Sequence, residues 1–275
     1  MSDRALELCC MSMRRANLVE LADAAAGAGY RYITTTTWLF EGAPLGGKDL
    51  RKRIDDGGVR VSMIDGLTSA LPGAPPAGPE RKSFEECAEI AHLLGAGCLN
   101  LVHIGGVPTP VEALGDAYAR VCEKAAAEGL RLVIEFLPGT GIPDLQTALA
   151  VVRHADQPNG KILFDSWHHA RCGGTPPEVD GDAAKWIGAL QLSDRSPDQD
   201  LVPYVPMTGR KIPGRGALPL ARWVAPILAA HPDMPVGVEI LSDEMEAMDF
   251  DQAAGTAAAS LHGVIAEAEG LLARS

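Results

Sequence analysis

The alternation of short apolar runs with amphipathic segments predicts a closed (β/α)8 TIM barrel, formed as one domain over residues 1–275. Three observations carry this expectation. Eight apolar runs, rich in β-branched residues and bounded by Gly, Pro or Asp, have the length of strands. Helix-like stretches separate them, which requires parallel pairing through crossover connections. No change in composition marks an interdomain linker, and 275 residues is close to the ~250 typical of such barrels. A doubly wound open sheet is the competing arrangement, but no G-x-G-x-x-G follows the first run.

The first strand is expected at Leu6–Cys10. Asn17 followed by Glu20 forms a capping box for the next helix, which closes at Gly27 and Gly29. Tyr32–Thr36 and Val59–Ile64 read as the second and third strands, with a helix over Lys48–Asp56 between them. The Pro-rich segment Leu71–Pro79 is too short for a linker and reads as a strand-to-helix loop. Ser83 and Glu86 start a helix that stops at Gly95-Ala96-Gly97. The remaining strands are Cys98–His103, Leu130–Phe136, Lys161–Asp165, Ile187–Leu192 and Pro235–Ile240. Helices are expected over Val111–Gly129, Asp144–Ala155, Leu218–Ala230 and Asp251–Leu272, with Pro176–Lys185 forming only a turn or two.

Composition excludes several functions. An apolar fraction of 47% with 22% charged residues is that of a soluble globule. No run reaches the ~18 apolar residues of a membrane span, and the first residues lack a secretory signal, so a cytoplasmic protein without a membrane partner is expected. The net charge of −12 would repel a phosphate backbone, which argues against nucleic acid as a partner. A homo-oligomer is compatible with the sequence. Six cysteines without a C-x-x-C spacing read as reduced, mostly buried thiols.

A barrel strand should be apolar, so polar residues at strand ends ask for a reason. The last four strands end in Glu135, Asp165, Gln191 and Glu239. Any one of these alone reads equally well as a satisfied buried polar group. Three carboxylates converging on one mouth, however, are strongly unfavourable without a counter-ion. A divalent cation resolves this, and an all-oxygen donor set suits Mn²⁺ or Mg²⁺, with Co²⁺ also compatible. His168, three residues after Asp165, is a candidate for substrate binding or proton transfer, whereas His169 should face away. His103, at the end of the fourth strand, is a candidate substrate contact, although a structural histidine is an equally plain reading. The long connection Ser193–Ala217 places Arg210 and Arg215 around a Pro213-Gly214 turn, where an anionic substrate would need them; solvated surface charge is the alternative. Trp38, after the second strand, is either an apolar wall for the ligand or helix packing.

At these residues the chain resembles the xylose-isomerase-like barrel superfamily of sugar phosphate isomerases and epimerases. Members carry Glu, then Asp-x-x-His, then His or Gln, then Glu on successive strand ends. Glu135, Asp165 with His168, Gln191 and Glu239 match, as does the Pro213-Gly214-Arg215-Gly216 turn. The resemblance implies metal ligands at Glu135, Asp165, Gln191 and Glu239, with Glu135 and Glu239 also exchanging protons with substrate. It implies an isomerase or epimerase acting on a ketose or related polyhydroxy ketone. The alternative is a lyase of the 3-dehydroshikimate dehydratase type, to which glutamine as third ligand and Arg210 are similar. Those dehydratases also carry an arginine after the third strand, where this chain reads Asp65-Gly66-Leu67-Thr68-Ser69. A sugar-binding protein without catalysis is a third reading, against which the intact ligand set argues.

Overall fold

The computed structural model describes residues 4–78, 81–105, 107–198 and 209–274. The amino-terminal Met1–Asp3, Pro79 of the Pro-rich loop and residues 199–208 of the long connection therefore lie outside the described residues. Eight parallel strands form the barrel: β1 (Leu6–Leu8), β2 (Tyr32–Thr36), β3 (Arg60–Leu67), β4 (Cys98–Val102), β5 (Arg131–Glu135), β6 (Gly160–Asp165), β7 (Ile187–Gln191) and β8 (Val236–Val238). Neighbouring strands pair in chain order, and β8 returns to β1. Between β7 and β8 the ring closes through Leu192, whose N–H donates to Gly237 O at 2.9 Å and whose carbonyl accepts from Glu239 N–H at 3.0 Å. Gly237 is required there, because a Cβ would run into the Leu190 carbonyl oxygen.

The outer layer is α1 (Leu18–Gly27), α2 (Thr37–Glu41), α3 (Gly47–Asp56), α4 (Phe84–Leu94), α5 (Val111–Ala127), α6 (Leu145–Ala155), α7 (Ser166–Arg171), α8 (Gly181–Ala184), α9 (Leu220–Ala230), α10 (Asp243–Glu246) and α11 (Phe250–Leu272). The expected capping box of Asn17 with Glu20 forms, and the helix expected from Ser83 starts with a second box between Ser83 and Glu86. Gly95 ends α4 with φ at 73°, a left-handed conformation that favours glycine. Short helices follow β2, β6 and β8 where the sequence pattern predicts none. The cause is local: Thr36, Asp165 and Ser242 accept backbone N–H bonds one turn ahead and so start α2, α7 and α10. No helix among the described residues is long and apolar enough to cross a membrane. All six cysteines are free thiols, and five of them are buried.

Inside the barrel, Met63, Cys98, Val133 and Leu163 pack together with Ala189. Side chains on a strand alternate faces, so residues two further on share the inner face. That rule carries Asp65, Asn100, Glu135, Asp165 and Gln191 to the layer above, at the carboxyl-terminal mouth. Outside the barrel, His169 packs among Phe136, Phe164 and Trp223, with ring centroids 5.0 Å from the last two, and so faces away from the mouth as expected.

The connection after β7 is anchored by buried Asp194. Its carboxylate accepts the backbone N–H groups of Arg195, Gly214, Gly216 and Leu218 at 2.7–3.0 Å. Asp194 and Lys211 also exchange backbone bonds at 2.8 Å. Charge-assisted hydrogen bonds contribute ~1.5–3 kcal/mol each, and the amides left behind would lose their partner. Asp194→Ala should therefore lower the unfolding free energy by ~2–4 kcal/mol. Urea denaturation of the metal-free protein checks this, and a loss under ~0.5 kcal/mol, the range of ordinary surface changes, would contradict it.

Candidate metal centre

Glu135, Asp165, Gln191 and Glu239 are all buried, on β5, β6, β7 and immediately after β8. The structure brings these four strand ends to one mouth together with His168 and Arg210. His168 Nε2 lies 3.4 Å from Glu135 Oε1 and 3.7 Å from Asp165 Oδ2. Asp165 divides its two oxygens: Oδ1 accepts from Trp167 N–H at 2.6 Å and His168 N–H at 3.1 Å, which starts α7. Its Oδ2 accepts from Arg210 Nη1 at 2.6 Å, and the same nitrogen lies 2.6 Å from Glu239 Oε2. Arg210 is only 3% exposed. Its backbone N–H donates to Leu241 O at 3.2 Å, so the chain crosses from the β7 connection to the segment after β8 and delivers the guanidinium over the mouth.

His103 is buried, and its Nε2 is 2.9 Å from Pro72 O, tying the end of β4 to the Pro-rich loop. Arg215 is half-exposed and pairs with Glu244 at 2.6 Å. Trp38 stands on α2 with 52% of its surface exposed. Three further residues of the mouth, Asp65, Asn100 and Cys9, were not expected from sequence. Asn100 Nδ2 donates to Asp65 Oδ1 and to Glu135 Oε2, both at 2.8 Å, and so fixes the orientation of Glu135. Cys9 Sγ donates to Glu239 Oε1 at 3.4 Å. A signal for Asp65 and Asn100 exists: each stands two residues after an inward apolar position, and both are polar beside or within apolar runs.

The donor set fits a divalent cation. Ligand atoms of Glu135, Asp165 and His168 all lie within 4.8 Å of one another, as do those of Cys9, Asp65 and Glu239. Gln191 Oε1 is buried with no hydrogen-bond partner among the described residues, an orphaned acceptor of the kind a cation satisfies. Burial first, then the Asp65 and Asp165 charges, pushes Glu135 well above the usual carboxylate range. Burial also raises Asp65, and it pushes Glu239 up to about 8 despite Arg210. Burial acts to raise Asp165 as well, but Arg210 and then His168 outweigh it and hold that carboxyl below its ordinary value. Burial lowers His168, which favours the neutral imidazole.

These shifts predict the pH dependence of the metal-free protein. Glu239 titrates near 4.5 when unfolded and at about 8 when folded, so between those values the folded state holds the extra proton. Its contribution to stability is full below about pH 4.5 and is lost as pH rises through about 8. The melting temperature of the metal-free protein should fall over that window, and Glu239→Gln should flatten the fall. Equal slopes for the parent and the variant in a thermal scan series would contradict the assignment.

Comparison with known proteins agrees with this architecture. The family described as xylose isomerase-like TIM barrel matches residues 22–263. A 3-dehydroshikimate dehydratase from Pseudomonas aeruginosa is 27% identical over 247 residues, 84% of this chain. This chain spans only 37% of that protein's length. A solved xylose isomerase-like TIM barrel/4-hydroxyphenylpyruvate dioxygenase fusion protein superposes with a TM-score of 0.85 at 21% identity, covering 99% of this chain and 44% of the other. L-ribulose 3-epimerase superposes with a TM-score of 0.73 at 18% identity, covering 98% and 97% of the two chains. The match over most of its length and the strand-end constellation together make this chain a member of the xylose isomerase-like TIM barrel family.

Proposed function

We propose that this chain is a divalent-metal-dependent enzyme that removes a proton next to the carbonyl of a carboxylate-bearing polyhydroxy ketone and expels a hydroxyl, a lyase of the 3-dehydroshikimate dehydratase type. The isomerase or epimerase expected from sequence shares the proton abstraction but then returns a proton to carbon and keeps the hydroxyl. The observation that carries the lyase reading is Arg210, a buried guanidinium among the metal-site carboxylates. Glu135, Asp165 and Glu239 are balanced by a divalent cation together with Arg210, and burial favours the protonated form of Asp65, so an anionic substrate meets a neutral shell. Glutamine at position 191 and the dehydratase relative support the same choice.

Glu135, Asp165, Gln191 and Glu239 would hold the metal, and Mn²⁺ or Mg²⁺ suits their oxygens. The cation's contribution is Lewis-acid polarisation of a substrate carbonyl, which acidifies the adjacent C–H. Glu239 or Glu135 takes that proton. Neutral His168, 3.4 Å from Glu135 Oε1, relays a proton to the leaving hydroxyl, so the proton and hydroxyl depart together as one water. The second reading, an epimerase acting on a neutral ketose, is favoured by the end of β3, where Asp65 occupies the mouth and the next four residues include no arginine.

Glu135→Gln and Asp165→Asn should each abolish high-affinity Mn²⁺ binding while leaving the barrel folded; binding equal to the parent would place the metal elsewhere. Gln191→His should shift preference towards metals that favour nitrogen, and an unchanged metal ranking would count against Gln191 as a ligand. A metal-supplemented screen of ketoses, inososes and 3-dehydroshikimate in deuterated water, followed by NMR, separates the two reactions. Elimination loses water from the substrate, whereas epimerisation returns an isomer carrying solvent deuterium. On an anionic substrate, Arg210→Ala should cost roughly 10–150-fold in kcat/KM. An unaltered kcat/KM would favour the neutral ketose.

A further inference from the structure

Arg210 stands on the oxygens that a metal needs. A single nitrogen, Nη1, is 2.6 Å from Asp165 Oδ2 and 2.6 Å from Glu239 Oε2, and it lies 3.3 Å from the Glu239 carbonyl oxygen. These carboxylates come from β6 and from the end of β8, so the guanidinium spans the mouth as a bridging cation would. A metal ion binds carboxylate oxygens at ~2.0–2.2 Å, which would put its charge within a few ångströms of the guanidinium in a buried, weakly screened site. Two cations there repel strongly.

We propose that Arg210 is an internal stand-in for the metal: it holds the two carboxylates together in the metal-free protein, yields them when a divalent cation loads, and is thereby turned to the anionic group of the substrate. The inference rests on the metal reading of this site given above. The backbone stays fixed, since Arg210 N–H is bonded to Leu241 O and Lys211 is bridged to Asp194, so the change is confined to the side chain. The Trp167 ring, 6.0 Å from the guanidinium carbon, already flanks it. Loading then has an order, metal before anion, and metal affinity is reduced by the fraction of molecules in which Arg210 holds the site.

The test is calorimetric titration of Mn²⁺ alone into the metal-free parent, Arg210→Met and Arg210→Lys, with melting temperatures measured without metal. Arg210→Met should bind Mn²⁺ roughly tenfold or more tightly than the parent, the factor expected if the arginine holds the site in about nine molecules of ten. It should melt lower without metal, and Arg210→Lys should fall between the two in both respects. Affinity no tighter than the parent's in both variants would overturn the proposal. Should Arg210→Met not fold, the lysine variant and arginine side-chain NMR of the parent decide it. The Arg210 guanidinium signal should move on adding diamagnetic Mg²⁺, and an unmoved signal at saturation would overturn the exchange. Failure of the metal reading looks different, because Glu135→Gln would then bind Mn²⁺ as well as the parent does.

Discussion

Four carboxyl groups, from Asp65, Glu135, Asp165 and Glu239, meet at the end of one barrel, and the last three are buried. Like charges at such distances, removed from water, are costly unless they bind protons, find a guanidinium or hold a metal. The structure uses the first two of these means at once: Glu135 and Glu239 are raised by burial, while Arg210 keeps Asp165 ionised. The chemistry proposed here depends on the third. A site that is costly when empty binds a cation strongly, and once loaded it has carboxylates able to accept a proton.

The scaffold holds this arrangement by short covalent and hydrogen-bonded routes. Strand pairing sets the height of each side chain, so that Asp165 stands beside Gln191 in the β6–β7 register. Asn100 reaches from β4 to hold Asp65 and Glu135 apart by two hydrogen bonds of 2.8 Å. Ser166 and Ser193 bond across the ends of β6 and β7. Asp194 then folds the Pro-Gly turn back on itself and sets where Arg210 enters the mouth. The helix that Asp165 starts places His168 one turn further along, which is how one carboxylate positions both groups.

The barrel was legible because its two periodicities are strong: strands, caps and glycine stops all appear as residue patterns. The carboxylates at the ends of β5, β6 and β8 were legible because a charge is costly in an apolar strand and so marks a site, and Gln191 was read from its place between them. Asp65, Asn100 and Cys9 were harder to read. Asp65 lies just past a run expected to have ended at Ile64, Asn100 carries no charge, and Cys9 is indistinguishable from a core residue. The contributions of His103 and Arg215 depend on partners distant in sequence, Pro72 and Glu244, which no local pattern reveals. The short helices after β2, β6 and β8 were missed because a single capping oxygen, rather than hydrophobic periodicity, creates them.

Anomalous diffraction from Mn²⁺-soaked crystals decides whether the strand-end oxygens form one metal site. A single strong peak is expected within bonding distance of Glu135, Asp165, Gln191 and Glu239, with the Arg210 guanidinium withdrawn from Asp165 Oδ2. A peak held instead by Cys9, Asp65 and Glu239, or no peak in the mouth at saturating Mn²⁺, would contradict it.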